Sequence, residues 1–489
     1  MSKVLLNYKV IAKILGIIIL VLGISMLIPW IFSEKTGDTD AAYAFRICCP
    51  AAIALGLLII ILIKSNKIKL HVREGYIIVA AAWIAASIIG AFPYYIAGFA
   101  ENYIDAFFES TSGFTTTGCS VVDDKFLSGG LLLWKAISNW LGGMGILLFV
   151  ISILPALGIN GQLIAKAEAP GPVLEKMTVR MSDSAKILYI TYISFTILEI
   201  ILLMLSGKVP FFDAVINTLG SISTGGVLVH PDGIAHYDSV YVEVVIGVFC
   251  ILSSINFVLY HYLITGKFAE FLKDIELRAF LIIMAVSISV CTIALMASSD
   301  TTFGSALRDS FFQVVSMSTT AGYTRSPYMT WPSTCQIVLI MLMFIGGCAS
   351  STSGSLKVVR VLVMIKLIWR GCIKRIHPRS VVAVKLGKTA VPAPVVSQIT
   401  TFVLTYMALF LFSSFIVSFQ GFSLYTTLTS VLAMLSNTGS AFGETASLGN
   451  FSAFHPLLKL YMSGLMIVGR LELFTIIILF SRTFWGRNR

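Results

Sequence analysis

Long apolar runs alternate with short polar segments over the whole length of the chain. The apolar runs lie near residues 10–32, 46–63, 76–98, 131–153, 187–206, 239–262, 279–297, 335–363, 395–418 and 456–481. A helix of about 20 apolar residues is long enough to cross the hydrocarbon layer of a membrane. The pattern therefore predicts an all-α polytopic membrane protein.

Between some of these runs lie four mixed segments that are too short to cross a membrane alone. They are YIDAFFESTSGFTTTGCS (103–120), FFDAVINTLGSISTGGV (211–227), RDSFFQVVSMSTTAGYT (308–324) and YTTLTSVLAMLSNTGSAFG (425–443). In each segment about ten apolar or small residues precede a tetrad rich in Ser, Thr or Asn, and a glycine follows. The segments therefore predict four short helices, each ending in a polar loop.

Aligning the four segments on a glycine indicates a repeat. The aligned glycines are Gly118, Gly225, Gly322 and Gly439, which are 107, 97 and 117 residues apart. Residues suited to a helix N-cap or first turn precede them by 13, 12, 13 and 13 positions, namely Asp105, Asp213, Asp309 and Thr426. The spacing predicts a span, a re-entrant helix, a loop and a span, repeated four times. Four unrelated breaks are the alternative, because Ser/Thr/Gly clusters are common at membrane turns.

The third loop, STTAGYT (318–324), resembles the filter loop of potassium channels, where backbone carbonyls replace the hydration shell of the ion. Non-helical backbone at membrane depth must be buried in protein or line water, so four such loops predict one shared aqueous path. The re-entrant helices point their C-terminal, negative dipole ends at the glycines, which favours a cation. We therefore expect four M1–pore loop–M2 repeats, in which M1 and M2 are the spans before and after each loop, around one pseudo-fourfold pore. Two extra N-terminal transmembrane helices precede the repeats.

The expected organisation divides the chain into five parts. The first is the two-helix extension and the others are the four repeats, with the gate described below in the third repeat. Their predicted ranges are 1–70, 71–165, 166–265, 266–375 and 376–489.

Composition and charge agree with a membrane location. Hydrophobic residues make up 57% of the chain and charged residues 12%, with a mean hydropathy of +0.90, which excludes an ordinary soluble domain. Of the 35 Lys and Arg residues, 26 fall in alternate loops on the side of the N-terminus. This positive-inside bias predicts a multi-pass protein of a bacterial-type inner membrane with both termini in the cytoplasm. The net charge of +11 is thus assigned to topology and not to nucleic-acid binding, with lipid or protein contact of residues 356–390 as a secondary role.

The stretch GGCASSTSGS (346–355) interrupts the eighth apolar run. Ten consecutive Gly, Ala, Cys, Ser and Thr residues do not favour a continuous helix, so we predict a broken helix whose loop lies under the filter. Close helix packing through small residues is the alternative. Lys357 and Arg360 follow the loop, and a topological role for both is as good an interpretation as a gating role.

Ionisable residues within apolar runs are expensive and mark functional or paired positions. Arg470 lies inside the last run, and we predict that it limits cation flux beneath the filter. A buried pair with Glu472 or Glu199 is the alternative for Arg470. Glu109, within the first short helix, is predicted to be a hydrogen-bond acceptor behind the filter.

These motifs together resemble the TrkH/KtrB/HKT superfamily, and the two leading helices resemble its TrkH family. The most specific are TTTG, STGG, TTAG and NTGS, GGCASSTSGSLKVVR (346–360) and GRLELF (469–474). In this superfamily glycine at all four filter positions goes with potassium, and serine in the first loop goes with sodium. The resemblance implies potassium as the transported ion, bound at Thr116, Thr117, Gly118, Ser223, Thr224, Gly225, Thr320, Ala321, Gly322, Asn437, Thr438 and Gly439. It implies an intramembrane gate formed by Gly346, Gly347, Cys348, Ala349, Ser350, Ser351, Thr352, Ser353, Gly354, Ser355, Lys357 and Arg470.

The same resemblance implies potassium uptake by a membrane homodimer with a cytosolic, nucleotide-binding TrkA-like regulatory subunit. The sequence contains no P-loop, and GGMG (142–145) lies in a span without a preceding strand, so no cofactor is expected in this chain. A potassium symporter coupled to protons or sodium is the alternative, for which Glu109, Glu199 and Glu472 are the candidate carboxylates. An integral membrane enzyme would need a cluster of His, Asp, Glu or Cys, and none is evident in the sequence, so we expect no enzyme.

Overall fold

The computed structural model describes residues 6–63, 72–121, 127–145, 181–298, 301–387, 389–445 and 450–485. Its main elements are helices, and it contains one short hairpin of β1 (Lys385–Leu386) and β2 (Thr389–Ala390). The predicted domain boundaries at 70/71 and 165/166 fall outside the described residues, and the five-part division stays a prediction.

Three N-terminal helices form a hairpin at the start of the chain: α1 (Tyr8–Ser25), α2 (Leu27–Thr36) and α3 (Thr39–Leu62). The first two helices together make one apolar span of 29 residues. Glycines let this span approach α3 closely, since a Cβ atom at Gly56 would lie 2.7 Å from the backbone nitrogen of Leu20. The predicted pair of N-terminal spans is therefore present as two packed helical segments.

The next seven helices belong to the first two predicted repeats. They are α4 (Val72–Ile96), α5 (Tyr103–Phe114), α6 (Gly129–Gly143), α7 (Met181–Leu205), α8 (Phe211–Ile222), α9 (Val240–Ser254) and α10 (Phe257–Ile264). The short helices α5 and α8 are the predicted re-entrant helices, and most of their residues are buried. A 3₁₀ turn (Gly233–Tyr237) follows the second loop.

The remaining helices belong to the last two predicted repeats. They are α11 (Phe268–Lys273), α12 (Ile275–Ser298), α13 (Phe303–Ser318), α14 (Ser333–Ile345), α15 (Val358–Ile376), α16 (Ala393–Ser418), α17 (Leu424–Ser436), α18 (Pro456–Arg470), α19 (Leu473–Phe480) and α20 (Arg482–Trp485). Helices α13 and α17 are the re-entrant helices of this half. Short 3₁₀ turns (Tyr328–Thr330 and Gly443–Thr445) follow the third and fourth loops.

Several predicted spans are not continuous helices. Within the described residues six helices are long and apolar enough to cross a membrane, or up to eight if each bent pair counts as one span. The runs 239–262 and 456–481 bend by 98° and 115° at their breaks, which their uniform hydrophobicity did not reveal. The run 335–363 breaks between α14 and α15, as the small-residue stretch predicted. The part of the run 131–153 beyond residue 145 lies outside the described residues.

Side chains at the predicted starts cap the re-entrant helices in some repeats only. Asn102 caps α5 by accepting a hydrogen bond from the backbone of Asp105 (2.9 Å), and Ser423 caps α17. The predicted start at Asp309 is wrong, because α13 begins six residues earlier and is capped by Thr302. Asp309 is instead bound by Arg325. Asp105, Asp213 and Thr426 therefore lie in the first turn of their helices, as predicted, and Asp309 does not.

Candidate ion filter and intramembrane gate

The four loops share one backbone pattern, with two left-handed residues two positions apart. The first of these has a positive φ of 54°, 54°, 59° and 54° at Thr116, Thr224, Thr320 and Asn437. The second is a glycine with φ of 79°, 57°, 72° and 73° at Gly118, Gly226, Gly322 and Gly439. Threonine rarely adopts such a φ, so three threonines held there indicate that the surrounding structure imposes the conformation.

This pattern corrects the alignment of the second loop. The equivalent glycine is Gly226 and not Gly225, which lies outside the left-handed region. The backbone nitrogen of Gly225 donates to Gly220 (2.8 Å), as that of Thr117 donates to Ser112 (2.9 Å), so Gly225 corresponds to Thr117. With Gly226 the distance from Asp213 becomes 13 residues, as in the other loops. The irregular spacing of 12 was the one signal of this error in the sequence.

The loops contact one another in a closed ring through these glycines. A Cβ atom at Gly118 would lie 2.2 Å from the carbonyl oxygen of Gly225 in the second loop, and one at Gly226 would lie 1.9 Å from that of Ala321. The ring continues through the third and fourth loops and returns to the first, with distances of 2.1 Å (Gly322 to Thr438) and 2.0 Å (Gly439 to Thr117). Any side chain at these positions would collide with the neighbouring loop.

The ring brings four backbone carbonyls into equivalent positions, those of Thr117, Gly225, Ala321 and Thr438. Carbonyl oxygens arranged around one axis can replace the hydration shell of a cation. The predicted filter residues of all four loops therefore meet in one place, with Gly226 added to the set. Within the described ranges no three His, Cys, Asp or Glu side chains form a group that could hold a metal ion.

An ion pair supports the first loop from behind. The carboxylate of Glu109 on α5 accepts hydrogen bonds from Lys135 on α6, from the Ser120 hydroxyl (3.0 Å) and from the Val121 backbone (3.2 Å). Lys135 also donates to the carbonyl of Cys119 (3.3 Å) at the end of the loop. Glu109 is thus the predicted acceptor behind the filter. Its partner Lys135 was not predicted, although a lysine within an apolar run was a signal for it.

Different polar contacts support the second and third loops. Glu199 on α7 accepts from the Ser221 hydroxyl (2.7 Å) at the end of α8. The Tyr323 hydroxyl, directly after the third-loop glycine, donates to the Asn217 carbonyl (2.8 Å) on α8. The tyrosine of the potassium-channel-like motif therefore fastens the third loop to the neighbouring re-entrant helix.

A charged cluster holds the outer end of the third loop. Arg325 and Arg308 both bind the carboxylate of Glu243 at the start of α9, with closest distances of 2.8 and 2.7 Å. Arg325 also binds Asp309 on α13. The cluster joins the second and third repeats. Sequence reasoning missed it because its members are separated by up to 82 residues in the chain.

The segment between α14 and α15 crosses beneath the filter loops. The Thr352 hydroxyl lies 3.3 Å from that of Thr224, and the Gly354 backbone donates to the Thr320 hydroxyl (2.9 Å). A Cβ atom at Gly354 would lie 2.0 Å from the carbonyl of Ser436, next to the fourth loop. This segment, residues 346–357, is called the gate loop below. It contains the predicted gate residues 346–355 and Lys357, and it is in direct contact with three predicted filter segments.

Breaks in other helices provide partners for the gate loop. Because α9 ends at Ser254, its last carbonyls can accept hydrogen bonds from the gate loop. The Ser254 carbonyl accepts from the Cys348 backbone (2.9 Å), and the Ser253 carbonyl accepts from the Thr352 backbone (3.2 Å). Lys357 folds back to donate to the Ser353 carbonyl. The loop is thus held by a helix break that the sequence did not reveal.

Arg470 joins the gate loop to the first repeat. Its guanidinium donates to the Thr352 carbonyl (2.5 Å) and to the Gly142 and Gly143 carbonyls (2.7 Å each). Of the acids considered as its partners, Glu472 binds Arg360 (2.6 Å), while Glu199 accepts from Ser221. Arg470 therefore lies beneath the filter in contact with the predicted gate.

The fold defines a helical membrane protein with many apolar helices, in which four loops pack into one ring of carbonyls. The family model for TrkH, described as a cation transport protein, matches residues 43–486. The chain belongs to this family, as its motifs predicted.

Named relatives cover almost the full chain. It is 33% identical over 487 residues to the Trk system potassium uptake protein TrkH of Salmonella typhimurium, covering 98% of this chain and 100% of the relative. The TrkH protein of Halomonas elongata is 31% identical, covering 99% of this chain and 100% of the relative. The crystal structure of the potassium transporter TrkH from Vibrio parahaemolyticus superposes with a TM-score of 0.87 at 31% identity, covering 98% of this chain and 100% of that one.

Proposed function

We propose that this chain takes up potassium across the plasma membrane through the four-loop filter. The ring in which each loop glycine abuts a carbonyl of the next loop is the observation that supports it best. The relatives are named as potassium uptake proteins or as a potassium transporter, which supports potassium as the ion. The ion-binding residues are the twelve predicted from the sequence, together with Gly226.

Selection in this proposal depends on backbone geometry. Carbonyls at Thr117, Gly225, Ala321 and Thr438 coordinate the dehydrated ion, and the glycines allow the loops to pack at the required distance. The re-entrant helices contribute their negative C-terminal dipole ends. Contacts behind the filter, such as Lys135 with Glu109, keep the loops from shifting when an ion leaves.

The gate loop closes the path beneath the filter. Its contacts with Thr224 and Thr320 place polar backbone directly below the ring, and Arg470 adds a positive charge there. A fixed positive charge opposes the passage of a cation. Opening requires the loop to leave these hydrogen bonds, which gives two discrete states for a regulator to bias.

We propose further that a cytosolic, nucleotide-binding TrkA-like subunit supplies this regulation, and that two copies of the chain form a homodimer. Both termini lie in the cytoplasm in this arrangement, which the distribution of basic residues supports. The segment 356–390 carries nine Lys or Arg residues, of which Lys357 and Arg360 are buried. Exposed members such as Lys374, Arg375 and Arg379 form the basic face available to a protein partner or to lipid headgroups.

The test is cation flux into liposomes containing the purified protein, with the variant Gly118→Ser. A Cβ atom at Gly118 would press on the Gly225 carbonyl at 2.2 Å, so the variant distorts the ring. Gly304→Ser is the matched control, because Gly304 has open space around it. Uptake of potassium, rubidium and sodium is compared with and without a proton gradient.

We expect downhill potassium and rubidium flux without a proton or sodium gradient for the wild type and the control, and entry of sodium only in Gly118→Ser. If Gly118→Ser still excludes sodium as the wild type does, the proposal of a four-loop filter is contradicted. Flux that appears only with a proton or sodium gradient would favour the coupled symporter instead.

A further inference from the structure

A carboxylate outside the gate loop binds both of its ends. Glu276 lies in the first turn of α12, and its Oε1 atom accepts hydrogen bonds from the backbone nitrogens of Ala349 (2.7 Å) and Val359 (3.1 Å). Ala349 lies near the start of the gate loop, and Val359 lies in the first turn of α15. A single oxygen atom therefore joins the entry and the exit of the loop to a third helix.

The two bonds to Glu276 depend on one side chain. Both are lost when its carboxyl group is removed, whereas the contacts of the loop with Thr224, Thr320 and the end of α9 are made to separate residues. Glu276 is half-buried, so water weakens its bonds less than those of an exposed acid. Loss of Glu276 therefore removes a larger share of the closed-state contacts than loss of any one of those other contacts.

The position of Glu276 connects the gate loop to parts of the chain outside the filter. The start of α12 is fixed by Asp274, whose side chain accepts from the Leu277 backbone (2.8 Å). The adjacent Ile275 contacts the turn of the β1–β2 hairpin, since a Cβ atom at Gly387 would lie 2.3 Å from the Ile275 side chain. A shift of the hairpin or of the α12 start thus displaces the acceptor of both bonds.

We infer that Glu276 is a positioning residue that holds the gate loop against the filter, and that the loop leaves its carboxylate when the gate opens. This inference rests on the proposed gating function and names a residue that controls it. Glu276 touches neither the filter loops nor the proposed ion positions, and it acts through the backbone at Ala349 and Val359.

Native cysteines provide the test, by site-resolved thiol modification of the full-length protein in detergent. Cys348, beside Ala349 in the gate loop, is buried and reports release of the loop. Cys372 on α15 is exposed and calibrates the reagent, while the buried Cys250 on α9 reports general unfolding. The variants are Glu276→Gln and Glu276→Ala, with Glu270→Ala on α11 as a control at an exposed carboxylate.

We expect Glu276→Ala to raise the rate of Cys348 modification relative to Cys372 by about tenfold, as loss of two hydrogen bonds shifts the closed–open equilibrium. Glu276→Gln keeps a neutral acceptor and should give a smaller increase. Glu270→Ala should match the wild type. Cys250 should stay unmodified in every variant.

Wild-type rates at Cys348 in both Glu276 variants would overturn the inference, and so would a joint rise at Cys348 and Cys250, which indicates loss of structure. If Glu276→Ala does not purify as a folded protein, the result for Glu276→Gln decides. Rubidium flux of the same preparations separates this test from the test of function. A wild type without downhill flux contradicts the proposed function, whereas a conducting wild type with unchanged Cys348 rates contradicts only the role of Glu276.

Discussion

At the scale of the residue, the second filter loop contains two adjacent glycines with different constraints. Gly226 has a φ of 57°, and its Cβ position lies 1.9 Å from the backbone oxygen of Ala321. Gly225 lies outside the left-handed region, and the atoms nearest its Cβ position belong to the side chain of Asn139, from 2.8 Å. A side chain can move aside more readily than the backbone of a filter loop.

We predict that Gly226→Ala impairs uptake far more than Gly225→Ala. Both strain at positive φ and collision with a backbone oxygen act at Gly226, whereas at Gly225 a shift of the Asn139 amide relieves the contact. Initial rates of rubidium uptake in liposomes measure the difference. Greater damage from Gly225→Ala would show that the sequence alignment on Gly225 was the functional one.

The sequence located the glycine that packs against the next loop in the first, third and fourth loops, and it misplaced this glycine in the second loop for a physical reason. Either glycine of a Gly-Gly pair can adopt a positive φ, so the composition of STGGV does not decide between them. The spacing from Asp213 contained the missing information, because Gly226 restores a distance of 13 residues. Regular spacing was therefore a better guide than similarity to the local motif.

At the scale of the element, the first re-entrant helix depends on a buried ion pair. Glu109 on α5 and Lys135 on α6 are 0% and 4% exposed and bind each other. Removing one member leaves an uncompensated buried charge, which costs about 3–5 kcal/mol, whereas replacing both members with apolar residues is often close to neutral.

We predict that Lys135→Met lowers the free energy of unfolding by about 3–5 kcal/mol, and that adding Glu109→Leu restores most of it. Thermal unfolding of the detergent-solubilised variants measures both effects. Lys273→Met, at an exposed lysine, is the control and should unfold like the wild type. A double variant no more stable than Lys135→Met would contradict the role given to this pair.

Hydrophobicity predicted where helices lie and failed to show where some of them bend. The small-residue stretch 346–355 correctly predicted the break between α14 and α15, because several poor helix formers occur together there. The bends after Ser254 and Arg470 occur within apolar sequence, and the best local sign is Asn256, whose side chain caps α10. Tertiary contacts sustain such bends, since the carbonyls released at the end of α9 bind the gate loop.

At the scale of the whole molecule, contacts between distant segments create the ring of loops and hold the gate loop against it. The ring joins all four loops, and Arg470 bonds to Gly142, 328 residues away in the chain. The sequence predicted four similar parts around a path, because each part has its own local pattern. It could not predict which side chains join the parts, since such pairs depend on the packing of distant segments.

The most direct test of the central claim is a crystal structure of the protein with rubidium, measured by anomalous diffraction. We expect an anomalous peak on the axis of the ring, bounded by the carbonyls of Thr117, Gly225, Ala321 and Thr438. The peak should disappear when sodium replaces rubidium. Rubidium bound elsewhere, with no peak inside a ring that is intact, would contradict the claim that these four loops form the ion filter.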